Sequence, residues 1–338
     1  MKKSDLGGNP FAGGSGRWAT AQFKAALAAG KGISAAVLRT LDTLRHEEWK
    51  YFDEALVQEA LIQLKGVADL QAAGLVRPVP NSLGKTIFAY EKITFMDEAE
   101  VSMDGLTRTD NDRQEYLMDN LPLPMTHKDF YLDLRTLTAS RDKGEPLDTT
   151  QVRTAGRVIA EMAEQMLFQG GPTFGTLPIY GYTTFPHRIT SVAYGTNGNW
   201  TTANTTKTGA NILEDVLQAI EALQTARFYG PYWVYVSRDS SAKLDDDYNP
   251  TFSTKTIRQR ILEVDAVKKL QVVDKLPNAT TIFVNASMDT VAWVQGETLQ
   301  TVQWDEAGGF KINFKAFQIG VPLIRSDAQD RCGVLHMS

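Results

Sequence analysis

Asp245, Asp247 and Asn249 stand at alternate positions, the spacing with which a calcium-binding loop begins its set of oxygen ligands. Pro250 occupies the place where such a loop needs glycine for its turn, and Thr256 the place of the closing bidentate glutamate. The match fails at both discriminating positions, so the segment is expected to be a solvated loop followed by a helix cap. If the chain were an enzyme, the carboxylates from Asp245 to Asp247 would be the first place to seek an acid–base pair. His46, beside Glu47 and Glu48, has the neighbours of a proton-transfer group, but a surface helix face is the simpler expectation. His127, His187 and His336 have no partner nearby in sequence and lack zinc-ligand spacing. Cys332 is the only cysteine, cannot close an intrachain bridge, and is expected to be a buried structural thiol rather than a nucleophile. The early glycines, Gly7, Gly8, Gly13, Gly14 and Gly16, follow no strand pattern and lead to no Lys-Ser/Thr ending, so they are not a phosphate loop. Neither a Gly-x-Ser-x-Gly elbow nor a His-Glu-x-x-His helix occurs. The residues therefore predict no catalytic centre, no metal and no cofactor.

Composition points the same way. In 338 residues, 43% hydrophobic, 35 basic side chains face 40 acidic ones, a formal charge of -5. The length allows about two folded units with a substantial core and no need of disulfides. A mildly acidic total argues against a dedicated nucleic-acid reader, which carries a basic surplus. No apolar run is long enough to span a membrane, and Met1 to Asp5 lacks the apolar stretch of a signal peptide, so a soluble, cytoplasmically made chain is expected.

The elements follow from periodicity. Residues 1–40 are interrupted by glycines and carry Lys2, Lys3, Arg17, Lys24, Lys31 and Arg39 against Asp5 alone, which reads as a basic arm. From Thr43, Trp49, Phe52, Leu56, Ala60 and Leu64 recur at helical spacing, and that helix is expected to stop near Gly66. Thr86 to Met96 favours a strand by its β-branched and aromatic content, followed by a loop crowded with acidic residues up to Asp119. The clearest helix is expected to start at Asp148, with Gln151 as capping partner, to carry Val152, Ala155, Ile159, Met162 and Met166 on one stripe, and to end at Gly170-Gly171-Pro172. The polar stretch from Thr183 to Gly209 reads as a surface insertion. Beyond it come helices at Ile212 to Ala226 and Thr254 to Val264. Strands are expected at Tyr232 to Val236, Leu270 to Val273, Thr280 to Val284, Val291 to Val294, Leu299 to Trp304, Phe310 to Ile319 and Gly333 to Met337. Helices interspersed with strands, without strict alternation, predict an α+β fold.

The order of these pieces carries a resemblance. Phe130 to Leu137 leads through Arg141-Asp142-Lys143-Gly144-Glu145-Pro146 into the long helix, which closes on Glu164-Gln165-Met166-Leu167-Phe168-Gln169-Gly170. Later, Asp215 to Leu223 is followed by Tyr229-Gly230-Pro231-Tyr232-Trp233. This pattern, over about residues 43 to 338, resembles the encapsulin-like branch of tailed-phage major capsid proteins; Phe168 and Gly170 match its spine-helix ending. The resemblance implies the HK-ninety-seven-type fold. In that frame residues 1–42 are the N-terminal arm, 43–85 the N-terminal helix of the peripheral domain and 86–127 an extended E-loop. Residues 128–209 are the peripheral domain with its spine helix and insertion, 210–305 the axial domain and 306–338 the return strands. It also implies self-assembly through pentamers and hexamers into an icosahedral virion shell around DNA, with scaffold, portal and decoration proteins as further partners and no membrane. The implied subunit interface takes in Phe88, Tyr90, Lys92, Phe95, Glu98, Glu100 and Arg108, and the arm would make contacts through its lysines and Arg17, with packaged DNA as an inner-face partner. The alternative within the family is an encapsulin nanocompartment enclosing cargo enzymes. The 40-residue arm, the long E-loop and the insertion at 183–209 depart from that pattern and favour a virion.

Overall fold

The computed structural model describes residues 54–57, 65–93, 101, 103, 116–133, 135, 150–249, 255–306, 310–327 and 329–338. The chain divides into two compact units. The first comprises Met1–Glu59, His127–Arg157 and Leu299–Phe317, and the second Ala60–Thr126, Val158–Thr298 and Gln318–Ser338. Helix α2 (Thr150–Gln169) and the long strands β10 (Val291–Glu306) and β11 (Lys311–Ile324) contribute residues to both.

In the first unit, strand β4 (Met125–Asp133) is the outer strand beside β11, and one face of this small sheet is apolar. Leu132, Ile312, Phe314 and Ala316 are buried, and Phe130 stacks on Phe314 with ring centroids 5.2 Å apart. Ala55 and Leu56 on a helical turn, Val152 and Ala155 on α2, and Phe317 on β11 are the other buried apolar side chains among the described residues of this unit. On the opposite sheet face Tyr131 and Trp304 stay at the surface, Lys311 lying over the first ring and Lys315 over the second.

The second unit is built on the rest of α2. Ile159, Ala163, Met166, Leu167 and Phe168 are buried, and the Phe168 ring meets Tyr182 and Tyr235 edge-on at 5.5 and 5.1 Å. Gly170 ends the helix with φ +90°, a backbone open to glycine at little cost, while Tyr182 and Thr183 donate their N–H groups to the carbonyls of Leu167 and Phe168. Helix α1 (Gly66–Ala72) starts where the sequence pattern predicts a stop. The reason is a carboxylate from elsewhere in the chain: Glu164 accepts the backbone N–H groups of Lys65 (3.3 Å), Gly66 (2.8 Å) and Val67 (3.3 Å), supplying the cap that no local side chain provides. Gly66 is required there because a Cβ would sit 2.7 Å from Leu167 and 2.8 Å from Phe168.

A four-stranded sheet of order β12-β9-β7-β8 forms the other half of this unit, from β7 (Tyr232–Ser237), β8 (Val267–Val273), β9 (Thr281–Asn285) and β12 (Val334–Met337). β7 runs parallel to β8 and antiparallel to β9. Every residue of β7 is buried, as a central strand covered on both faces requires. Helix α3 (Gly209–Thr225), capped by Thr208, contributes Ile212, Val216, Ala219 and Leu223 to the core. The short helix α4 (Ile257–Leu262) opens on a Thr256/Gln259 capping box and is shorter than its sequence pattern suggests.

Two further expectations change. The strands predicted at Val291–Val294 and Leu299–Trp304 are one strand, β10. Gly296 in its middle lets the backbone pass where a Cβ would lie 2.5 Å from Ser82. The polar stretch 183–209 is not a mere surface insertion, because Trp200 and Lys207 within it are almost fully buried. Asp215 on α3 gathers them: the Trp200 indole donates to it at 2.6 Å, Lys207 pairs with it at 2.7 Å and the Gly195 N–H donates at 3.0 Å. The expected cap residue Asp148 lies outside the described residues, and α2 begins at Thr150.

Two predictions follow from these buried charges. Asp215→Ala leaves the Lys207 ammonium buried without its carboxylate and should cost about 3–5 kcal/mol, read as a urea-midpoint shift; an effect below about 1 kcal/mol would mean that Asp215 does not organise the segment. Glu164 is pushed up to about 7, first by burial and only partly restrained by its three N–H donors. A carboxyl raised on folding contributes stability that is complete below the unfolded value and is lost as pH rises through about 7. Acidification from pH 8 to pH 5.5 should therefore raise the thermal midpoint of the wild type more than that of Glu164→Gln, and parallel pH profiles would refute the assignment.

Candidate assembly interface

Strands β2 (Ile87–Ile93) and β3 (Tyr116–Pro122) pair antiparallel, Ile87 opposite Pro122 and Ile93 opposite Tyr116. Alternation divides this ribbon into two faces. On one, Phe88 and Tyr90 are half-buried against an apolar cluster that includes Leu121, Leu123, Met166 and Ile319. On the other, Ile87, Ala89, Glu91, Met118 and Asn120 are exposed. A two-stranded ribbon is marginal by itself, so its root must be fastened.

Tyr90 is the centre of that fastening. Its hydroxyl donates to Asp119 at 2.9 Å, and Lys92 pairs with the same carboxylate at 3.4 Å. The Arg325 guanidinium lies 5.9 Å from the Tyr90 ring centroid and donates to the Glu91 carbonyl of β2. Burial pushes the Tyr90 phenol well above its ordinary value, and the Asp119 charge adds to the effect. Burial alone would raise Asp119, but the Asn120 N–H, the Tyr90 hydroxyl and Lys92 outweigh it and hold the carboxyl below its usual range. Beyond the ribbon, Val101 and Met103 are fully exposed, at 99% and 106%.

Of the interface residues drawn from the sequence, Phe88, Tyr90 and Lys92 fall on one face of this ribbon. Phe95, Glu98, Glu100 and Arg108 lie outside the described residues, as do Lys2, Lys3, Arg17, Lys24 and Lys31 of the arm. Asp119 and Arg325 were missed. Asp119 is one acidic residue among many in its segment, and only the register places it opposite Tyr90. Arg325 is more than 230 residues away, and no local pattern marks it.

The residues considered for chemistry are otherwise engaged. Asp245 pairs with Arg258 at 2.7 Å, and Lys243 lies 3.5 Å from Asp246. Cys332 is buried and its thiol is pushed up to about 12, chiefly by desolvation. His187 lies 3.4 Å from Asp330, and His336 accepts a hydrogen bond from Arg188 at 3.2 Å. Burial and the Arg188 charge hold the His336 imidazole below its ordinary value. His46, Trp49 and Phe52 lie outside the described residues. Among the described residues, no group of three or more His, Cys, Asp or Glu converges to hold a metal, and no helix is long and apolar enough to cross a membrane.

Solved structures with a similar arrangement include a virus-like particle and a phage capsid. A virus-like particle from Pyrococcus furiosus superposes with a TM-score of 0.60 at 15% identity, covering 87% of this chain and 99% of its own. The capsid of Myoviridae phage XM1 does so at 0.59 and 13% identity, covering 80% and 91%. In sequence, the type 1 encapsulin shell protein EncA of Myxococcus xanthus (strain DK1622) is 25% identical over 230 residues, 67% of this chain and 70% of that protein. The fold is thus the α+β, HK-ninety-seven-type fold of capsid proteins, of the encapsulin-like kind. Within that class the chain belongs to the family of unknown function DUF6260, whose model matches residues 35–337.

If Arg325 fastens the ribbon, Arg325→Ala should speed chymotrypsin cleavage within residues 93–119 by about tenfold under native conditions, the effect of losing about 1.4 kcal/mol against local opening. The far-UV circular dichroism should be unchanged. Equal cleavage rates for variant and wild type would remove Arg325 from this role.

Proposed function

We propose that this chain is a shell-building subunit, the major capsid protein of a tailed bacteriophage, which closes through pentamers and hexamers into an icosahedral shell around DNA. The observation that carries the reading is the likeness in fold to shell subunits over most of both chains. The ribbon adds to it, since Val101 and Met103 are fully exposed beyond its paired strands, an arrangement of use when a neighbouring copy provides the cover. One heterologous contact repeated through a rotation that closes on itself gives rings and then a shell. Residues 86–127 act as the E-loop over an adjacent subunit, α2 as the spine helix, 210–305 as the axial domain and 1–42 as an arm facing packaged DNA. The role is structural rather than enzymatic, assembly takes place in the host cytoplasm, and scaffold, portal and decoration proteins are the further partners. The likeness to EncA favours a second reading, an encapsulin compartment around cargo enzymes.

Because Phe88 and Tyr90 pack on their own unit, the informative deletion is of residues 97–115, bridged by a short Gly-Ser link. By negative-stain electron microscopy the wild type expressed alone, or with its scaffold, should form closed particles, while the deletion should give folded subunits and no shells. Normal particles from the deletion would refute the E-loop assignment. Absorbance ratios on the same fractions separate the two readings, since shells that co-purify with a single enzyme and no nucleic acid would favour the encapsulin.

A further inference from the structure

A cavity of about 340 Å³ opens beside the ribbon root; its charged lining is Lys92, Arg227, Arg325 and Arg331 with Glu91, Asp289 and Asp327, and Ala226, Phe228 and Ser326 complete it. Two of its cations are already paired, Lys92 with Asp119 at 3.4 Å and Arg331 with Asp327 at 2.7 Å. Arg227 and Arg325 are not: among the described residues neither guanidinium has a carboxylate oxygen within 4.0 Å. Arg77 lies close enough to Arg325 to oppose its charge, and Arg77 Nε is buried with no hydrogen-bond partner among the described residues. The buried Ser326 hydroxyl is likewise without one. Glu91 and Asp289 offset the two unpaired guanidiniums of the lining, Arg77 adds a positive charge next to Arg325 from outside the lining, and the Ser326 hydroxyl is left in want of a partner.

The matching charge is concentrated in one part of the sequence. Between Asp97 and Glu115 stand seven acidic and two basic residues, a formal charge of -5, equal to that of the whole chain. Within that segment Val101 and Met103 are fully exposed. A guanidinium binds a carboxylate through two parallel N–H donors, and a half-enclosed site strengthens the pairing relative to open water.

We propose that this cavity receives a carboxylate side chain of the Asp97–Glu115 segment from a second copy, with the Phe228 ring and the arginine stems covering apolar side chains of that segment. The inference rests on the shell-subunit reading and adds to it the receiving surface.

The test uses the full chain. Ala226, which lines the cavity, is changed to Cys together with Glu98→Cys, Glu100→Cys or Asp104→Cys in turn, and assembled material is oxidised; Cys332 is buried and should not take part. A ladder of covalent multimers on a non-reducing gel is expected from at least one pair. Bonds only within single chains, or no bonds at all, would overturn the proposal. In parallel, Arg227→Glu should lower shell yield about tenfold with an unchanged circular dichroism spectrum. Combining it with Glu98→Lys and Glu100→Lys should restore the yield, whereas undiminished yield from Arg227→Glu alone would overturn the cavity's role. Wild-type shells with no ladder refute this inference alone. A wild type that forms no shells even with its scaffold refutes the shell reading, and the inference falls with it.

Discussion

Much of the second unit is built outward from one buried carboxylate. Glu164 has no cation within ion-pair distance among the described residues; it is held by three backbone N–H groups at the start of α1. A charge removed from water is costly unless it meets oriented dipoles, and the open N-terminus of a helix offers them. The demand is mutual, since α1 has no side-chain cap of its own. The contact fixes where α1 begins and brings it so close to the end of α2 that only glycine fits at 66. Asp69, in the first turn of α1, then meets Lys269, the Tyr235 hydroxyl at 3.1 Å and the Gln271 amide at 3.3 Å, so β7 and β8 are tied to the same short helix. Lys65 adds a hydrogen bond from its ammonium to the Val272 carbonyl at 3.0 Å. Helix, cap and sheet are thus held in one arrangement by groups that would each be destabilising if left unpaired.

That dependence explains which parts of the fold were legible in the sequence. The stripe of α2 and the apolar face of α3 were readable because a helix that packs on a core writes its contacts at intervals of three and four. β7 and β9 were readable from their β-branched and aromatic runs, and the α+β class followed from the order of elements. Gly66 was misleading because its role is close approach to Leu167 and Phe168, whereas a local pattern offers only the meaning of a stop. Trp200 and Lys207 were lost among threonines, asparagines and glycines because what buries them is Asp215, on a different element. At the ribbon root, Phe88 and Tyr90 announced a strand, but Arg325 left no trace near them. Local periodicity records burial; it does not record which distant partner satisfies a polar group.

The two kinds of polar contact in this chain divide the labour of folding and assembly. Glu164, Asp69 and Asp215 are enclosed, so their hydrogen bonds are short of competition from water and strongly specify the subunit. The contacts at the ribbon root are half-exposed and individually modest, enough to hold β2 and β3 to each other. A shell subunit needs that inequality. If intersubunit contacts were as strong as the core, misplaced copies could not leave; if the ribbon root were as weak as the rim, each arriving subunit would first have to order its own loop.

Charge placement carries the same reasoning one step further. Outside the Asp97–Glu115 segment the chain is formally neutral, so copies approaching one another with that segment turned aside meet little net repulsion. The segment itself would repel its counterparts wherever two came together, a penalty that falls on wrong arrangements as well as on crowded ones. Relief requires each acidic segment to lie on something other than its like. The arginines about the ribbon root belong to the same chain, so every copy that carries the acidic segment also carries the recess proposed to receive it. Two complementary patches at different places on one molecule define a heterologous contact, and a heterologous contact that closes upon rotation yields a ring rather than a pair. The modest total charge of the chain hides a strongly asymmetric distribution along its sequence, and if the recess receives the acidic segment of a second copy, that asymmetry gives assembly its direction.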